Sequence, residues 1–355
     1  MHQLPALRLG TLRMSSQLEL LAPDGTERRW VVLDERERGT RFLAIAVRSV
    51  LNTSAATGMG FWSINPYVGC EFGCTYCYAR DTHRYAMERS GVAPEPIPAW
   101  EAFERRILVK TGVADVLART LDPARLGEHS LVIGTATDPY QPAERRFRLT
   151  RRVLEVLLQH RDLRIGIITK SPLVTRDLDL LQQLSARHEV TVNISLATLD
   201  RRLARRLELR SPVPSARIRA LGRLTAGGVH AGLLVAPILP GITDDRRGLD
   251  RLMGAAKAAG ARYVVGSALR LGPAARHRFL PVLGREFPEL AERYARHYQR
   301  SEGVSPAYQR ALTGRLHQLQ RRHGFPVDEG MKRRQQLEGR APQGAAAANE
   351  QPLLI

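Results

Sequence analysis

Three cysteines, Cys70, Cys74 and Cys77, are the residues of this sequence whose type and spacing say most about chemistry. They are the only cysteines in the chain and follow the spacing C-x3-C-x2-C. Three thiolates on one tight, glycine-containing loop can ligate three irons of a cubane [4Fe–4S] cluster, which normally takes four cysteine ligands. The missing fourth thiolate leaves one iron with an open position, as a substrate or cosubstrate requires in metal-assisted chemistry. The pattern therefore predicts an iron–sulfur site with one open iron.

A structural zinc site, completed by a nearby histidine such as His83, is the alternative for the same cysteines. Zinc sites usually contain paired cysteines with a different spacing. Three cysteines within eight residues also argue against a disulfide framework and for a metal site in a reducing compartment, so we expect a cytoplasmic protein. No run of 18 apolar residues and no secretory leader pattern occurs, so we expect neither a membrane span nor a signal peptide.

The composition is that of a soluble globular protein with excess positive charge. The 355 residues are 43% hydrophobic and 25% charged, and the formal net charge is +19. Residues 145–223 carry 18 Arg or Lys against 7 Asp or Glu, whereas residues 1–60 carry 8 against 6. This basic sector favours a polyanionic partner such as DNA or RNA. A solvated arginine-rich surface is the alternative.

The hydrophobic pattern divides the chain into an extension, a core, a helical segment and a tail. Residues 1–58 read as a β-rich extension, because Gln17–Leu21 and Trp30–Leu33 flank a turn signal at 22–25. We expect the core at 59–300, a helical segment at 301–330 and a disordered polar tail at 331–355. The run Trp62–Val68 can form a strand that leads into the cysteine loop.

From about residue 104, short apolar runs alternate with amphipathic segments. This alternation indicates a parallel sheet buried on both faces. It is typical of a complete or partial (β/α) barrel with chemistry at the C-terminal strand ends, and a doubly wound open sheet is the alternative. The strand-like runs are Arg106–Lys110, Ser130–Thr135, Leu163–Thr169, Val190–Ala197, His230–Leu239 and Arg262–Leu269. The helical segments lie near 112–121, 150–160, 174–186, 215–227 and 244–259, with terminal helices over 274–324.

The words flanking the cysteines carry a resemblance to a known family. They are Asn65-Pro-Tyr-Val-Gly-Cys70, Cys77-Tyr-Ala-Arg80, Thr137-Asp-Pro-Tyr-Gln141 and Ile168-Thr-Lys-Ser171. With the cysteine spacing, they resemble the radical S-adenosylmethionine (SAM) enzymes, in the spore photoproduct lyase-related, DNA repair photolyase-like branch. The resemblance covers about residues 60–300.

The resemblance implies a fold, two cofactors and a reaction. The fold is a partial (β/α)6 barrel of the radical SAM type, and the cofactors are a [4Fe–4S] cluster and SAM, which chelates the open iron. An electron, from a flavodoxin- or ferredoxin-type donor, cleaves SAM to methionine and a 5′-deoxyadenosyl radical, which abstracts a hydrogen atom from the substrate. The implied activity is lyase-like, with DNA repair or modification as its setting.

Polar residues at the strand ends are the candidates for holding SAM. Thr137 and Asp138 follow one strand-like run, where radical SAM enzymes often place contacts to the methionine amine. Lys170 ends the next run and could pair with the carboxylate.

Further candidates follow on the next strands. Asn193 and Ser195 share side-chain parity and can face one side of the sheet, with Ser195 as the ribose contact. Pro237 begins a Pro-Ile-Leu-Pro run that could present backbone groups to the adenine. Tyr76 is expected near the adenine, as the aromatic residue of this signature usually is.

The sequence departs from the spore photoproduct lyases at their hydrogen-atom donor. Those lyases use a cysteine outside the cluster, just before the amine-binding strand end. Here that neighbourhood is Gly134-Thr135-Ala136-Thr137-Asp138, and the chain has no fourth cysteine. Thr135 cannot replace a thiol, because its O–H bond is far stronger than an S–H bond. The tyrosines that flank the last cluster cysteine do match, as Tyr76 and Tyr78, and are the candidate catalytic residues for a hydrogen-atom relay. A packing role for Tyr78 is the alternative.

An arginine-rich helix is expected after Asp200, a plausible N-cap. Its arginines at 201, 202, 205 and 206 form like-charge i,i+4 pairs, which repel by roughly 0.2–0.5 kcal/mol per pair. A phosphate backbone would relieve that repulsion. The alternative is a solvated helix face with Glu208 as its local counter-ion.

Three functions follow from these observations. The first is a radical SAM enzyme acting on nucleic acid, the second is a radical SAM enzyme acting on a small molecule or peptide, and the third is a non-catalytic Fe–S or zinc protein that binds nucleic acid. Salt-sensitive binding to DNA or RNA separates the first two, and 5′-deoxyadenosine production separates both from the third.

Overall fold

The structure is a computed structural model that describes residues 18–21, 27–30, 32–36, 39–57, 59–90 and 99–327. The turn expected at 22–25 and the tail expected at 331–355 lie outside these residues.

From residue 106 onward, each strand is followed by one or more helices. In chain order the strands are β1 (Leu18–Leu21), β2 (Glu27–Trp30), β3 (Val32–Arg36), β4 (Thr40–Ile45), β5 (Leu51–Asn52), β6 (Trp62–Ile64), β7 (Tyr67–Val68), β8 (Arg106–Lys110), β9 (Leu131–Ile133), β10 (Arg164–Thr169), β11 (Glu189–Ser195), β12 (Ala231–Ile238) and β13 (Val264–Ala268). The helices are α1 (Ser54–Thr57), α2 (Ala79–Ser90), α3 (Ala99–Arg105), α4 (Val113–Thr120), α5 (Pro123–Leu126), α6 (Glu144–Phe147), α7 (Leu149–Leu157), α8 (Leu178–Ser185), α9 (Arg201–Leu207), α10 (Pro214–Ala226), α11 (Arg246–Ala258), α12 (Pro273–Glu286), α13 (Pro288–Arg300) and α14 (Pro306–Arg322), with a 3₁₀ helix at Pro172–Asp177.

The main sheet has the order β5-β6-β9-β10-β11-β12-β13. From β6 to β13 all neighbours are parallel, and β5 is antiparallel at one edge. The parallel strands follow one another in chain order, so consistently right-handed crossovers put the connecting helices on one face. This is the arrangement of a partial (β/α)6 barrel, and it rules out the doubly wound alternative.

The two faces of this sheet differ in burial. Ile167, Val192 and Leu233 point to the helix-covered face and are fully buried. On the other face, Ile168 pairs with Asn193, and both are partly exposed. The expectation of burial on both faces therefore holds only in part, because Ser195 on this concave face is buried whereas Ile168 and Asn193 are partly exposed.

A second, four-stranded sheet has the order β3-β4-β8-β7. The run Arg106–Lys110 was expected in the main alternation, but as β8 it pairs with β4 and β7. The run Trp62–Val68 forms two short strands, one in each sheet, because Pro66 has no N–H to continue a ladder. The bounds of the extension and the core remain predictions.

The helices α12 and α14 pack against opposite parts of the core. Asp81 of α2 accepts a hydrogen bond from Ala274 N (2.7 Å), which ties α12 to the helix after the cysteines. Leu316 of α14 lies against Gly266 on β13, where a Cβ would come within 2.6 Å of the leucine. Within the described ranges, no helix has the length and apolarity to cross a bilayer.

Candidate active site

The cysteine loop connects β7 to α2 and lies at the carboxyl edge of the main sheet. Cys70 and Cys74 are buried, Cys77 is half-buried, and none is in a disulfide. Gly73 has φ of +64°, and a Cβ there would lie 2.5 Å from a guanidinium nitrogen of Arg210. Only glycine fits this turn without displacing its neighbours.

The three thiols are electrostatic neighbours in a dry site. Burial raises the pKa of Cys70 well above its ordinary value, and the nearby Asp138 and Cys74 raise it further. Burial also raises the pKa of Cys74, to about 12, although Lys170 opposes it. Because a thiolate is the metal-binding form, these thiols require a cationic group to become ligands.

The arrangement does not fit the zinc alternative. Among the residues whose positions are described, no three His, Cys, Asp or Glu side chains converge on one ion. His83 points elsewhere, because its Nε2 lies 3.2 Å from Arg106 O and its ring meets the Phe103 ring edge-on. A cubane distributes its thiolates over different irons, so a loop of three spaced cysteines fits a [4Fe–4S] cluster.

Arg80 braces the cysteine loop from outside. Its buried guanidinium donates to Cys74 O (2.8 Å) and to Glu104 Oε1 (2.6 Å). Glu104 also accepts from Arg210 at 2.5 Å and from Arg278 at 3.3 Å. Burial alone would raise the pKa of Glu104, but the guanidinium groups of Arg80 and Arg210 outweigh burial and lower it. Glu104 is therefore an ionised anchor.

The segment Leu207–Ser211, which we call the clamp segment, packs along the cysteine loop. Thr75 N donates to Leu207 O at 3.0 Å, and Arg210 N donates to Phe72 O at 3.0 Å. Between these bonds, Cys74 and Glu208 form an isolated antiparallel bridge. The clamp segment thus extends the cysteine loop as a short strand would.

Glu208 lies at the centre of this group of side chains, a position that the sequence did not reveal. Its carboxylate accepts from Lys170 Nζ at 2.9 Å, and also from Tyr76 OH and Arg217. Burial would raise the pKa of Glu208, but Lys170 and Arg217 hold it far below the ordinary value. The alternative of a solvated helix face with Glu208 as its counter-ion is correct for the exposed arginines but wrong for Glu208, because α9 ends at Leu207 and Glu208 turns inward.

Lys170 connects this carboxylate to the next strand. Besides Glu208, Lys170 Nζ lies 3.2 Å from Ser195 Oγ and 3.2 Å from Tyr76 OH. The structure thereby brings together three of the predicted site residues beside Cys74. No local pattern marks Glu208 as their partner, because the three come from distant positions in the chain.

Thr137 and Asp138, predicted to contact SAM, form hydrogen bonds with other residues of the protein. Thr137 Oγ1 donates to Gly69 O (2.6 Å), next to the first cysteine. Asp138 accepts from Tyr140 N (2.9 Å), Thr169 Oγ1 (2.6 Å) and Lys170 N (2.7 Å). Burial raises the pKa of Asp138 despite these donors. The pair ties the ends of β9 and β10 to the cysteine loop.

The remaining predicted residues lie around this group. Asn193 is one pleat below Ser195, where it donates to Ile167 O (3.2 Å) and accepts from Tyr263 OH (3.1 Å). Pro237 lies on β12 beside Ala236, whose carbonyl accepts from Ser195 Oγ (3.2 Å).

Tyr78 differs from these residues because it is exposed. Its hydroxyl donates to Thr135 O, and 49% of its surface is accessible. Its ring is therefore held in place while remaining accessible to solvent, whereas Tyr76 is buried.

The sequence and structure together define the class of this protein. The chain belongs to the Radical SAM superfamily, whose family match covers residues 64–253. Its cofactors are therefore a [4Fe–4S] cluster and SAM, and it is an enzyme of the radical SAM class.

Its relatives include uncharacterised proteins. One from Mycobacterium tuberculosis is 35% identical over 280 residues, which cover 78% of this chain and 79% of the relative. Another, from Methanocaldococcus jannaschii, is 28% identical over 202 residues, covering 57% of this chain and 69% of the relative.

Solved structures with a similar fold include those of spore photoproduct lyase. The lyase complexed with dinucleoside spore photoproduct matches with a TM-score of 0.57 and 15% identity, covering 81% of this chain and 80% of that chain. A variant with bound AdoMet and the same dinucleoside matches with a TM-score of 0.56 and 16% identity, over the same shares. These matches confirm the α/β fold of radical SAM proteins.

Proposed function

We propose that this enzyme cleaves SAM reductively and uses the 5′-deoxyadenosyl radical on nucleic acid, in a lyase-like repair or modification reaction. The reduced cluster and SAM supply a carbon radical that can take a hydrogen atom from an unactivated position. One observation carries the nucleic-acid part of the proposal: α9 lines the site with its buried face and exposes arginines on its outer face.

The cysteine loop and the strand ends suit the two cofactors. Cys70, Cys74 and Cys77 would hold the cluster. Lys170, Arg217 and Glu208 together carry one net positive charge beside Cys74, and the methionine carboxylate is the group that this charge attracts. Lys170 would present to that carboxylate the N–H that now faces Tyr76 OH, while Glu208 and Ser195 hold the ammonium in place.

Asp138 would accept from the methionine amine. Its carboxylate accepts three hydrogen bonds and can accept one more. Its negative charge is close enough to Cys70 to raise the pKa of that thiol. Thr137 would support the loop that carries it.

The ribose and adenine would lie further along the sheet. The Ser195 hydroxyl and the backbone around Pro237 are adjacent, so they can contact both parts of one nucleoside. Asn193, one pleat below Ser195 on the accessible face of the sheet, would line the space beneath the nucleoside. The Tyr76 ring would lie beside the adenine.

Helix α9 forms the rim of this site. Ala204 and Leu207 line the same space as Tyr76, whereas Arg201, Arg202 and their neighbours at 205 and 206 are exposed. Asp200 caps the helix by accepting from Arg202 N at 2.7 Å. A phosphate backbone lying along these arginines would cross the opening of the site.

Not all of the basic sector is available to a polyanion. Lys170 and Arg217 are paired with Glu208. Arg176 is paired with Glu144 and with Asp177, and Arg206 of α9 is paired with Glu286. The case for nucleic acid therefore rests on the other exposed arginines of α9, at 201, 202 and 205, rather than on the net charge.

Tyr78 is the residue that we place nearest to the substrate. Its exposed ring follows the last cysteine directly, and its hydroxyl is bound to the backbone of Thr135. In a chain with three cysteines, all assigned to the cluster, this phenol and that of Tyr76 are the candidates for returning a hydrogen atom.

The radical-forming step is tested with reconstituted protein under anaerobic conditions. Given SAM and a reductant, either dithionite or a reduced flavodoxin, the wild type should form 5′-deoxyadenosine. Cys74→Ala should not, because two thiolates do not hold a stable cluster. A wild type that binds iron and sulfide but forms no 5′-deoxyadenosine with several reductants would refute the proposal.

The nucleic-acid step is tested with two matched triple variants. Arg201→Ala, Arg202→Ala and Arg205→Ala remove charge at the rim. Arg161→Ala, Arg164→Ala and Arg187→Ala remove equal charge from exposed positions at the opposite edge of the sheet. With single-stranded DNA, the plot of log affinity against log salt has a negative slope. The first set of substitutions should reduce the magnitude of that slope by about 2, because fewer phosphates are then neutralised. Equal effects of the two sets, or no DNA binding at low salt, would favour a small-molecule or peptide substrate.

A further inference from the structure

The sulfur of Cys74 has a hydrogen-bonding group beside it that comes from a distant residue. Ser211 Oγ lies 3.4 Å from Cys74 Sγ, and the two residues are 137 positions apart. Ser211 belongs to the clamp segment, so this contact joins the clamp segment directly to a cysteine sulfur of the loop.

The Ser211 hydroxyl has few other choices. Ser211 is buried, with 4% of its surface exposed, and a buried hydroxyl is normally hydrogen-bonded. Within the part of the chain that the structure describes, Cys74 Sγ is the one partner recorded for this oxygen. When Cys74 is a metal-bound thiolate it can only accept, so the Ser211 proton must point at the sulfur.

The clamp segment holds Ser211 firmly in this position. Ser211 N donates to Glu208 O at 3.1 Å, and Arg210 Nε donates to Glu71 O at 2.6 Å. Because Pro212 follows directly, the backbone conformation of Ser211 itself is also restricted. The clamp segment is thus hydrogen-bonded to the cysteine loop, and this attachment fixes the Ser211 hydroxyl beside the Cys74 sulfur.

We propose that Ser211 sets the reduction potential of the cluster by donating a hydrogen bond to the Cys74 thiolate. Reduction adds one negative charge to the cluster and its sulfur ligands, so a proton directed at a ligand sulfur stabilises the reduced form. Hydrogen bonds from neighbouring residues to metal ligands are a general means of tuning a metal centre. Loss of the hydroxyl makes the cluster harder to reduce and shifts its midpoint potential to a more negative value.

The test is an EPR-monitored redox titration of the reconstituted protein without SAM or nucleic acid. Ser211→Ala should have a more negative midpoint potential than wild type at equal iron content. The isosteric pair Ser211→Thr and Ser211→Val separates the hydroxyl from packing, with Thr expected near wild type and Val near Ala. Equal potentials in wild type and Ala, or in Thr and Val, would overturn the proposal.

Loss of iron in these variants also tests whether the Ser211 hydroxyl is needed. Iron loss in Ala and Val but not in Thr would support a required hydroxyl, whereas iron loss in all three would assign Ser211 a packing role and overturn the proposal. Because the titration contains neither substrate nor SAM, its result is independent of the nucleic-acid proposal.

Discussion

Lys170 Nζ lies 2.9 Å from Glu208 Oε1, and the pair is largely removed from solvent beside Cys74. The two residues are 38 positions apart and reach each other across the ends of β10 and the clamp segment. Arg217, itself fully buried, approaches the second carboxylate oxygen. One carboxylate therefore positions two cations and the Tyr76 hydroxyl at the edge of the cluster site.

Glu208→Gln should destabilise the protein strongly. The amide leaves Lys170 and Arg217 as two buried cations without an anion, and breaking a buried pair typically costs about 3–5 kcal/mol. Thermal or urea unfolding measures the loss. The control is Glu286→Gln, which removes the partly exposed partner of Arg206 and should cost at most about 1 kcal/mol. Similar losses in the two variants would show that the Glu208 network contributes little.

Lys170→Met should weaken SAM binding at least tenfold. A hydrogen bond to a charged group contributes about 1.5–3 kcal/mol, and about 1.4 kcal/mol corresponds to a factor of ten in the dissociation constant. Equilibrium dialysis of labelled SAM against cluster-loaded protein measures the change.

The control for that experiment is Lys257→Met. Lys257 is a lysine of α11 that donates to Gly324 O at 2.9 Å, away from the cluster site. It should leave the dissociation constant unchanged. An unchanged constant in folded, cluster-loaded Lys170→Met would remove Lys170 from the SAM site.

Lys110→Met should stabilise the protein at neutral pH. Lys110 is 5% exposed, no ion-pair partner is recorded for it among the described residues, and burial lowers its pKa from 10.5 to about 8. Between pH 8 and 10.5 the unfolded lysine binds a proton that the folded one does not, so wild-type stability rises with pH in this window. Below pH 8 the buried charge costs about 3 kcal/mol.

The unfolding free energies of wild type and Lys110→Met, measured from pH 7 to 10.5, check this prediction. The variant should be more stable at pH 7, and the difference should close towards pH 10.5. A constant difference across the range would mean that the pKa of Lys110 is ordinary.

Gly73→Ala should reduce the iron content of the reconstituted protein. Its φ of +64° and the 2.5 Å approach of Arg210 leave no room for a methyl group, so the loop between Cys70 and Cys74 must shift. Gly284→Ala is the matched control, since nothing lies within 4 Å of the added Cβ in α12. That change should raise stability by roughly 0.5–1 kcal/mol. Full iron loading of Gly73→Ala would show that the turn tolerates the change.

Much of the fold was predictable from local patterns. The helices α4, α7, α8, α10 and α11 fall on the five predicted segments, because hydrophobic periodicity within a dozen residues specifies a helix face. The exceptions are instructive. The run at 106–110 was recognised as a strand, but its sheet depends on pairing with β4, more than 60 residues earlier.

The loop that carries the three cysteines, and the position of Lys170 at a strand end, were predictable from short stretches of sequence, because residue type and spacing are local properties of the chain. The partners that complete the site were not. Glu208 became a buried anchor rather than a surface counter-ion, and Ser211 came to face Cys74, 137 residues away. Such contacts depend on where the chain returns after α9, and packing between distant segments establishes that position.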